Sequence, residues 1–231
     1  MPEKEASMFL KVGHRGARAY EIENTLESFR KALDLGANAI ELDVRQSKDG
    51  KLILNHDENL KRVFGRDVPV SQTTLKELKQ LTDNKILTLK EALHFLDSKI
   101  DKLFVELKET GYEKKVLGII LKEKMQNRTI IISFHEDTLA TVRNLNKKIE
   151  TGIIYARSKN PVDAAKRLGA GYLLPLYRFV HTKDVEKAHE NDLKVIVWTI
   201  NTREEAREYS AKGVDGIASD KPDIFEGMEQ G

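Results

Sequence analysis

Two segments of this sequence alternate acids with aliphatic residues in a way that could hold a metal. In Ile40-Glu41-Leu42-Asp43-Val44 the two-residue period of a strand would put Glu41 and Asp43 on one face and the aliphatic residues on the other. Phe104-Val105-Glu106-Leu107-Lys108 repeats the pattern, with Glu106 and Lys108 sharing a face. Buried carboxylates without compensation are costly, and like charges raise one another's pKa. A divalent cation resolves both problems, and Glu41, Asp43 and Glu106 together make an oxygen cage suited to Mg²⁺ or Ca²⁺, with Mn²⁺ a further fit. The alternative is an interior ion pair between Glu106 and Lys108, with the other acids neutral or bridged.

His14-Arg15-Gly16 follows a short apolar run, so an imidazole and a guanidinium sit where a strand gives way to a loop. Arg15 has the planar fork that grips a phosphate through two N–H groups. His56 closes another apolar run. Two imidazoles at one site can act as general base and general acid near neutral pH, a pairing suited to phosphodiester cleavage. A lone histidine is usually structural; the position of this pair beside three strand carboxylates is what points to chemistry. The other histidines are blander: His94 and His189 lie in helical patterns, His181 precedes a helix, and His135 follows a strand and is the one expected near the site. Trp198 either forms an apolar wall against a substrate or packs in the core.

The elements that would position these residues alternate along the chain. Runs rich in Val, Ile and Leu at 9–13, 39–44, 103–107, 130–134, 151–155, 172–174, 194–200 and 216–219 read as strands. Amphipathic stretches at 25–35, 89–96, 112–124, 137–146, 162–168, 182–191 and 203–212 read as helices, several followed by a glycine suited to a left-handed cap. This β-α rhythm predicts a (β/α)8 TIM barrel, whose active site would lie at the C-terminal ends of the strands. The rhythm breaks once. Residues 45–51 read as a hairpin turn into a further strand at 52–56, and residues at about 57–87 form a short insertion after the second barrel strand. A doubly wound open sheet is the rival fold, but no Gly-x-Gly-x-x-Gly follows the first strand.

Composition bounds the rest. At 231 residues and 40% hydrophobic content, residues 1–231 are expected to form one domain around one substantial core. A formal charge of +2 lacks the basic excess of a nucleic-acid binder. Without cysteine there is no disulfide, no thiolate ligand and no cysteine nucleophile, so a metal must sit on oxygen or imidazole. Residues 1–7 are charged and lack the apolar core of a signal peptide, and no apolar run reaches membrane-spanning length. The expectation is a cytoplasmic protein with no stable membrane insertion.

Taken in order, His14-Arg15-Gly16, Glu23-Asn24-Thr25, Glu41-Leu42-Asp43-Val44, Asp49-Gly50, His56-Asp57 and Glu106-Leu107-Lys108 resemble the motifs of the glycerophosphodiester phosphodiesterase family, within the PLC-like phosphodiesterase superfamily. The likeness continues in Val197-Trp198-Thr199-Ile200-Asn201 and Ser219-Asp220-Lys221-Pro222 and spans nearly the whole chain. It implies hydrolysis of a glycerophosphodiester, such as glycerophosphocholine or glycerophosphoethanolamine, to glycerol 3-phosphate and an alcohol. By the same resemblance Glu41, Asp43 and Glu106 are metal ligands, His14 and His56 the acid-base pair, Arg15 a phosphate contact and Lys108 a further positive charge beside it. One departure is Ile22, where the family commonly has proline before Glu-Asn-Thr, and it bears on the local turn. Asn24 and Thr25 read as caps of the following helix, and Glu23 as a metal or phosphate contact or a loop brace. A related phospholipase acting on lysophospholipids is an alternative, but it should need an exposed apolar rim that 57–87 does not supply. A non-catalytic barrel that binds a phosphorylated ligand is another.

Overall fold

The computed structural model describes residues 8–228; the opening stretch 1–7, expected to carry no signal peptide, lies outside the described residues. The aliphatic runs form strands β1 (Leu10–His14), β2 (Ala39–Gln46), β3 (Leu52–Leu54), β4 (Lys102–Leu107), β5 (Thr129–Ser133), β6 (Glu150–Tyr155), β7 (Tyr172–Pro175), β8 (Lys194–Val197) and β9 (Gly216–Ser219). All but β3 pair in parallel, running from β1 through β2 and β4 to β9, and β9 pairs back onto β1. The result is a closed barrel of eight strands, the architecture expected from the sequence. The helices are α1 (Leu26–Asp34), α2 (Lys61–Phe64), α3 (Leu75–Leu81), α4 (Leu89–Leu96), α5 (Glu113–Lys122), α6 (Glu136–Leu145), α7 (Pro161–Leu168), α8 (Thr182–His189) and α9 (Arg203–Ala211).

The two faces of each strand meet different neighbours. Ile40, Leu42 and Val44 of β2 point outward into a buried cluster with Phe29 and Ala32 of α1 and Leu89 and Leu93 of α4. Inside the barrel, Leu10, Val12, Phe104, Ile130, Tyr172 and Leu174 form an apolar plug. Fully burying one such side chain contributes about 1.5–3 kcal/mol, so this plug and the outer cluster fix which way each strand faces. Register then does the rest: His14 of β1 lies opposite Glu41 of β2, and Asp43 of β2 opposite Glu106 of β4. Polar side chains from three adjacent strands therefore rise above the plug at the C-terminal mouth.

The hairpin is present where expected. β2 turns back through Gly50 (φ 73°) into β3, pairing Gln46 with Leu52 and Val44 with Leu54. The expected strand 52–56 stops at Leu54, because the Asn55 amide side chain donates to the carbonyl of Asp57 at 2.7 Å and turns the chain away. The insertion that follows has its own small core of Ile53, Leu60, Val70, Leu78 and Ile86. Its helix α3 begins at a capping box in which Thr74 and Glu77 satisfy each other's backbone amides. Among the described residues no helix is long and apolar enough to cross a membrane.

Candidate active site

Glu41, Asp43 and Glu106 converge at the barrel mouth. All three are buried, and one carboxylate oxygen from each lies within 4.8 Å of the others. Glu41 Oε1 and Asp43 Oδ1 accept no hydrogen bond. An unpaired buried acceptor costs about 1–3 kcal/mol and more when charged, so this all-oxygen set with two orphaned atoms fits a divalent cation. The Lys108 ammonium donates to Glu106 Oε1 at 2.6 Å and stands 3.6 Å from Asp43 Oδ1. The interior ion pair weighed as an alternative is thus present, but it leaves the two orphaned oxygens unsatisfied. In the protein alone, burial and then the neighbouring Asp43 and Glu106 push the Glu41 carboxyl well above the usual range. Burial and Asp43 push Glu106 up to about 7. Burial opposes the charge of Asp43 too, but Arg15 and Lys108 outweigh it and hold that carboxyl at about 2.

The loop after β1 is built to serve these acids. Gly16 has φ 83°, and a Cβ there would lie 2.3 Å from Ser28 Oγ, so only glycine lets the loop lie against α1. The Ser28 hydroxyl donates to the Arg15 carbonyl at 2.8 Å, and the Arg15 backbone N–H donates to Glu41 Oε2 at 3.0 Å. Thr25 caps α1, and its hydroxyl donates to the Ile22 carbonyl at 2.6 Å, so the turn forms without the family's proline. Asn24, expected as a cap, is not one. The helix begins one residue too late for it, and its amide instead donates to Asp43 Oδ2 at 2.9 Å and accepts from the Asp43 N–H at 3.3 Å. Arg15 lines the cavity with its guanidinium already paired to Glu23 and Asp43, each at 3.0 Å. Glu23 also faces Arg18 at 3.6 Å and Arg62 at 2.7 Å, which makes it a brace between loops.

Each of the two histidines has a carboxylate behind it. His14 Nδ1 lies 2.7 Å from Asp220 Oδ1, and Asp220 is fixed by Asn201, whose amide donates to Oδ2 at 3.0 Å. His56 Nδ1 lies 2.6 Å from Asp57 Oδ1. Against the opposing effect of burial, His14 holds Asp220 below its ordinary range, while Arg62 and His56 hold Asp57 at about 2. Ionised carboxylates only accept, so Nδ1 carries the proton in both rings and Nε2 is the free nitrogen. Burial lowers the pKa of both imidazoles more than their carboxylates raise it. Asp57 and Asp220 had no role in the sequence reading beyond membership of their motifs. Asp57 was detectable as the neighbour of His56, whereas Asp220 meets His14 across 206 positions.

These groups open onto one cavity of about 360 Å³. Its charged side includes His14, Arg15, Arg18, His56 and Lys108, and its other side is formed by Ile132, Phe134, Ile154, Leu174, Ile196 and Trp198. The Trp198 indole N–H donates to the Leu174 carbonyl at 2.7 Å, and its ring meets Phe134 edge to face at 5.8 Å. Phe134, which is 46% exposed, went unnoticed in the sequence because it reads as one more strand residue. His135, expected near the site, is the residue that opens α6 and does not line the cavity. A larger groove of about 610 Å³ lies outside the barrel against α7 and α8, but no acid cluster or histidine lines it.

A sequence model of the Glycerophosphoryl diester phosphodiesterase family matches residues 14–224. The glycerophosphodiester phosphodiesterase of Caldanaerobacter subterraneus is 31% identical over 232 residues, covering 94% of this chain and 96% of the relative. The crystal structure of a glycerophosphodiester phosphodiesterase from Thermotoga maritima superposes with a TM-score of 0.80 at 33% identity, covering 95% of this chain and 98% of that one. An Oleispira antarctica phosphodiesterase, solved in complex with the product sn-glycerol-3-phosphate, gives a TM-score of 0.84 at 25% identity, covering 93% and 94% of the two chains. Matched by the family model from the end of β1 to the last turn after β9, the chain belongs to the glycerophosphodiester phosphodiesterase family, a family of hydrolases.

Proposed function

We propose that this protein hydrolyses glycerophosphodiesters, with glycerophosphocholine and glycerophosphoethanolamine as representative substrates, to glycerol 3-phosphate and an alcohol, and that it requires a divalent cation. The observation that carries this reading is the set of three buried carboxylates, two with orphaned oxygens, beside two imidazoles whose Nε2 atoms are free. The product complex of the Oleispira antarctica relative supports the choice of substrate.

Held by Glu41, Asp43 and Glu106, Mg²⁺ or Ca²⁺ would supply Lewis-acid charge against the phosphoryl oxygens. Arg15 and Lys108 add fixed positive charge where negative charge grows in the transition state, and their pairing with Glu23, Asp43 and Glu106 orders them beforehand. One imidazole takes a proton from the attacking oxygen through Nε2, and the other, entering the step as the imidazolium with a proton on Nε2 as well as on Nδ1, gives its Nε2 proton to the departing alkoxide. Each keeps its Nδ1–H on a carboxylate, which steadies the imidazolium form. General acid-base assistance of this kind contributes about 10²–10⁴-fold. The Phe134 and Trp198 wall takes the less polar part of the alcohol and keeps water off it. A second reading, lysophospholipid cleavage, draws on the exposure of Phe134 within that wall.

Release of glycerol phosphate from glycerophosphocholine, followed with and without chelator, tests the proposal. Chelator and Glu41→Ala should each reduce turnover to background, with added Mg²⁺ or Ca²⁺ restoring only the wild type. His14→Ala should lower kcat by about 100-fold or more. Undiminished turnover in chelator would remove the cation from the reaction, and a wild-type rate in His14→Ala would remove the acid-base pair. Lysophosphatidylcholine turned over faster than glycerophosphocholine would favour the second reading.

A further inference from the structure

None of the four residues of α2 is fully buried, and its half-buried Phe64 packs against the small core of the insertion. What α2 brings to the site is the guanidinium of Arg62. Its Nε donates to Asp57 Oδ2 at 2.6 Å, while Nη1 and Nη2 donate to the two oxygens of Glu23 at 2.8 and 2.7 Å. The other oxygen of Asp57 takes the His56 Nδ1–H at 2.6 Å. Both Asp57 oxygens are therefore occupied, one by the ring and one by the guanidinium. Glu23 in turn is tied to Arg15, which pairs with Asp43. A continuous polar chain runs from the acid cluster through Arg15, Glu23 and Arg62 to Asp57 and the imidazole.

We propose that Arg62 is a positioning residue, fixing the plane of Asp57 so that His56 presents Nε2 to the substrate; this rests on reading His56 as half of the acid-base pair. The need for it follows from where His56 sits. The partner of His14 is held within the barrel frame, by Asn201 beyond β8. His56 lies beyond the end of a three-residue strand, and its carboxylate partner is 29% exposed, free to rotate toward water unless its outer oxygen is held. The His56 main chain is anchored separately, since Arg45 Nε donates to its carbonyl at 2.9 Å. Removing Arg62 therefore loosens the ring and leaves the backbone in place. Exposed ion pairs add little stability, and the Arg62 side chain is 45% exposed, so its effect should appear in rate. A planar fork can bind Asp57 and Glu23 at fixed angles together, which a lysine ammonium cannot.

The test uses the metal-loaded enzyme with glycerophosphocholine and compares wild type, Arg62→Ala, Arg62→Lys, His56→Ala and the Arg62→Ala/His56→Ala double variant. Arg62→Ala should lose about ten- to a hundredfold in kcat, with KM within about twofold and Tm within about 4 °C of wild type. Arg62→Lys should recover only part of the rate, and added guanidinium should restore part of it to Arg62→Ala. The double variant should be no slower than His56→Ala, because the two residues act as one unit. In proton NMR the low-field His56 Nδ1–H signal, assigned by its absence in His56→Ala, should broaden or vanish in Arg62→Ala. A wild-type kcat in Arg62→Ala, an unchanged signal, or an Arg62→Ala loss that persists in the His56→Ala background would each overturn the positioning role. A wild-type rate in His56→Ala would instead bring down the acid-base reading itself, and the role of Arg62 with it.

Discussion

Asn24 shows how much one side chain does at this site. Its amide both gives and takes a hydrogen bond on Asp43, and it does so from a left-handed backbone (φ 59°) that few residues adopt. Replacing it by alanine removes the amide and strains the backbone together, whereas glycine removes the amide alone. Asn24→Gly should therefore weaken divalent-cation binding about 10- to 100-fold, measured by calorimetric titration, while losing less thermal stability than Asn24→Ala. Unchanged affinity in Asn24→Gly would mean that Asp43 needs no such support. The acids were legible at this scale because strand alternation is a local signal. The partners of Asp43 and His14 were not, since Asn24 and Asp220 reach them through folding, across 19 and 206 positions. Arg62 was hidden for a related reason, lying in a stretch too short and polar to show a period.

The elements carry these residues through opposed faces. On β2 the acids turn into the mouth while Ile40, Leu42 and Val44 lock against α1 and α4, so one strand serves packing and chemistry together. Leu42 is fully buried, and Leu42→Ala should cost about 2–5 kcal/mol in urea unfolding. A loss below 1 kcal/mol would show that the outer cluster can collapse around the gap. Gly16→Ala should also destabilise, by more than about 1 kcal/mol, since it meets both a forbidden φ and the backbone of Ser28. Barrel strands and their helices could be read from the sequence because each is long enough to show its period. Within the insertion the sequence analysis predicts no helix, although Thr74 and Glu77 stand at capping-box spacing and open α3. The end of β3 was read two residues too far, because the side-chain hydrogen bond that stops it has no hydropathy signature.

For the molecule as a whole, the gathered acids tie stability to pH. In the metal-free protein Glu106 titrates at about 7 and Glu41 well above its ordinary 4.5, so the folded state keeps protons that the unfolded chain releases. Stability must then fall as pH rises from about 4.5 through 7. The lowered pKa values of His14 and His56 act in the opposite sense below about 6.5, and that of Asp43 only below about 4, so the acids alone set the slope above 6.5. A bound cation needs ionised carboxylates, so its affinity should rise over the same interval. Thermal unfolding from pH 6.5 to 8 should show Tm falling in chelator and the gap to a Mg²⁺-saturated sample widening. Parallel curves would mean that the acids bind their protons no more tightly than exposed ones. The closure of the barrel has its own consequence. β9 seals against β1, and the same seam brings Asp220 to His14. The three clustered acids are all synthesised by residue 106, less than halfway along the chain, yet the imidazole of His14 waits for Asp220. On the ribosome, a nascent polypeptide halted or clipped before residue 220 lacks one of its two histidine–aspartate pairs however well its first half has folded.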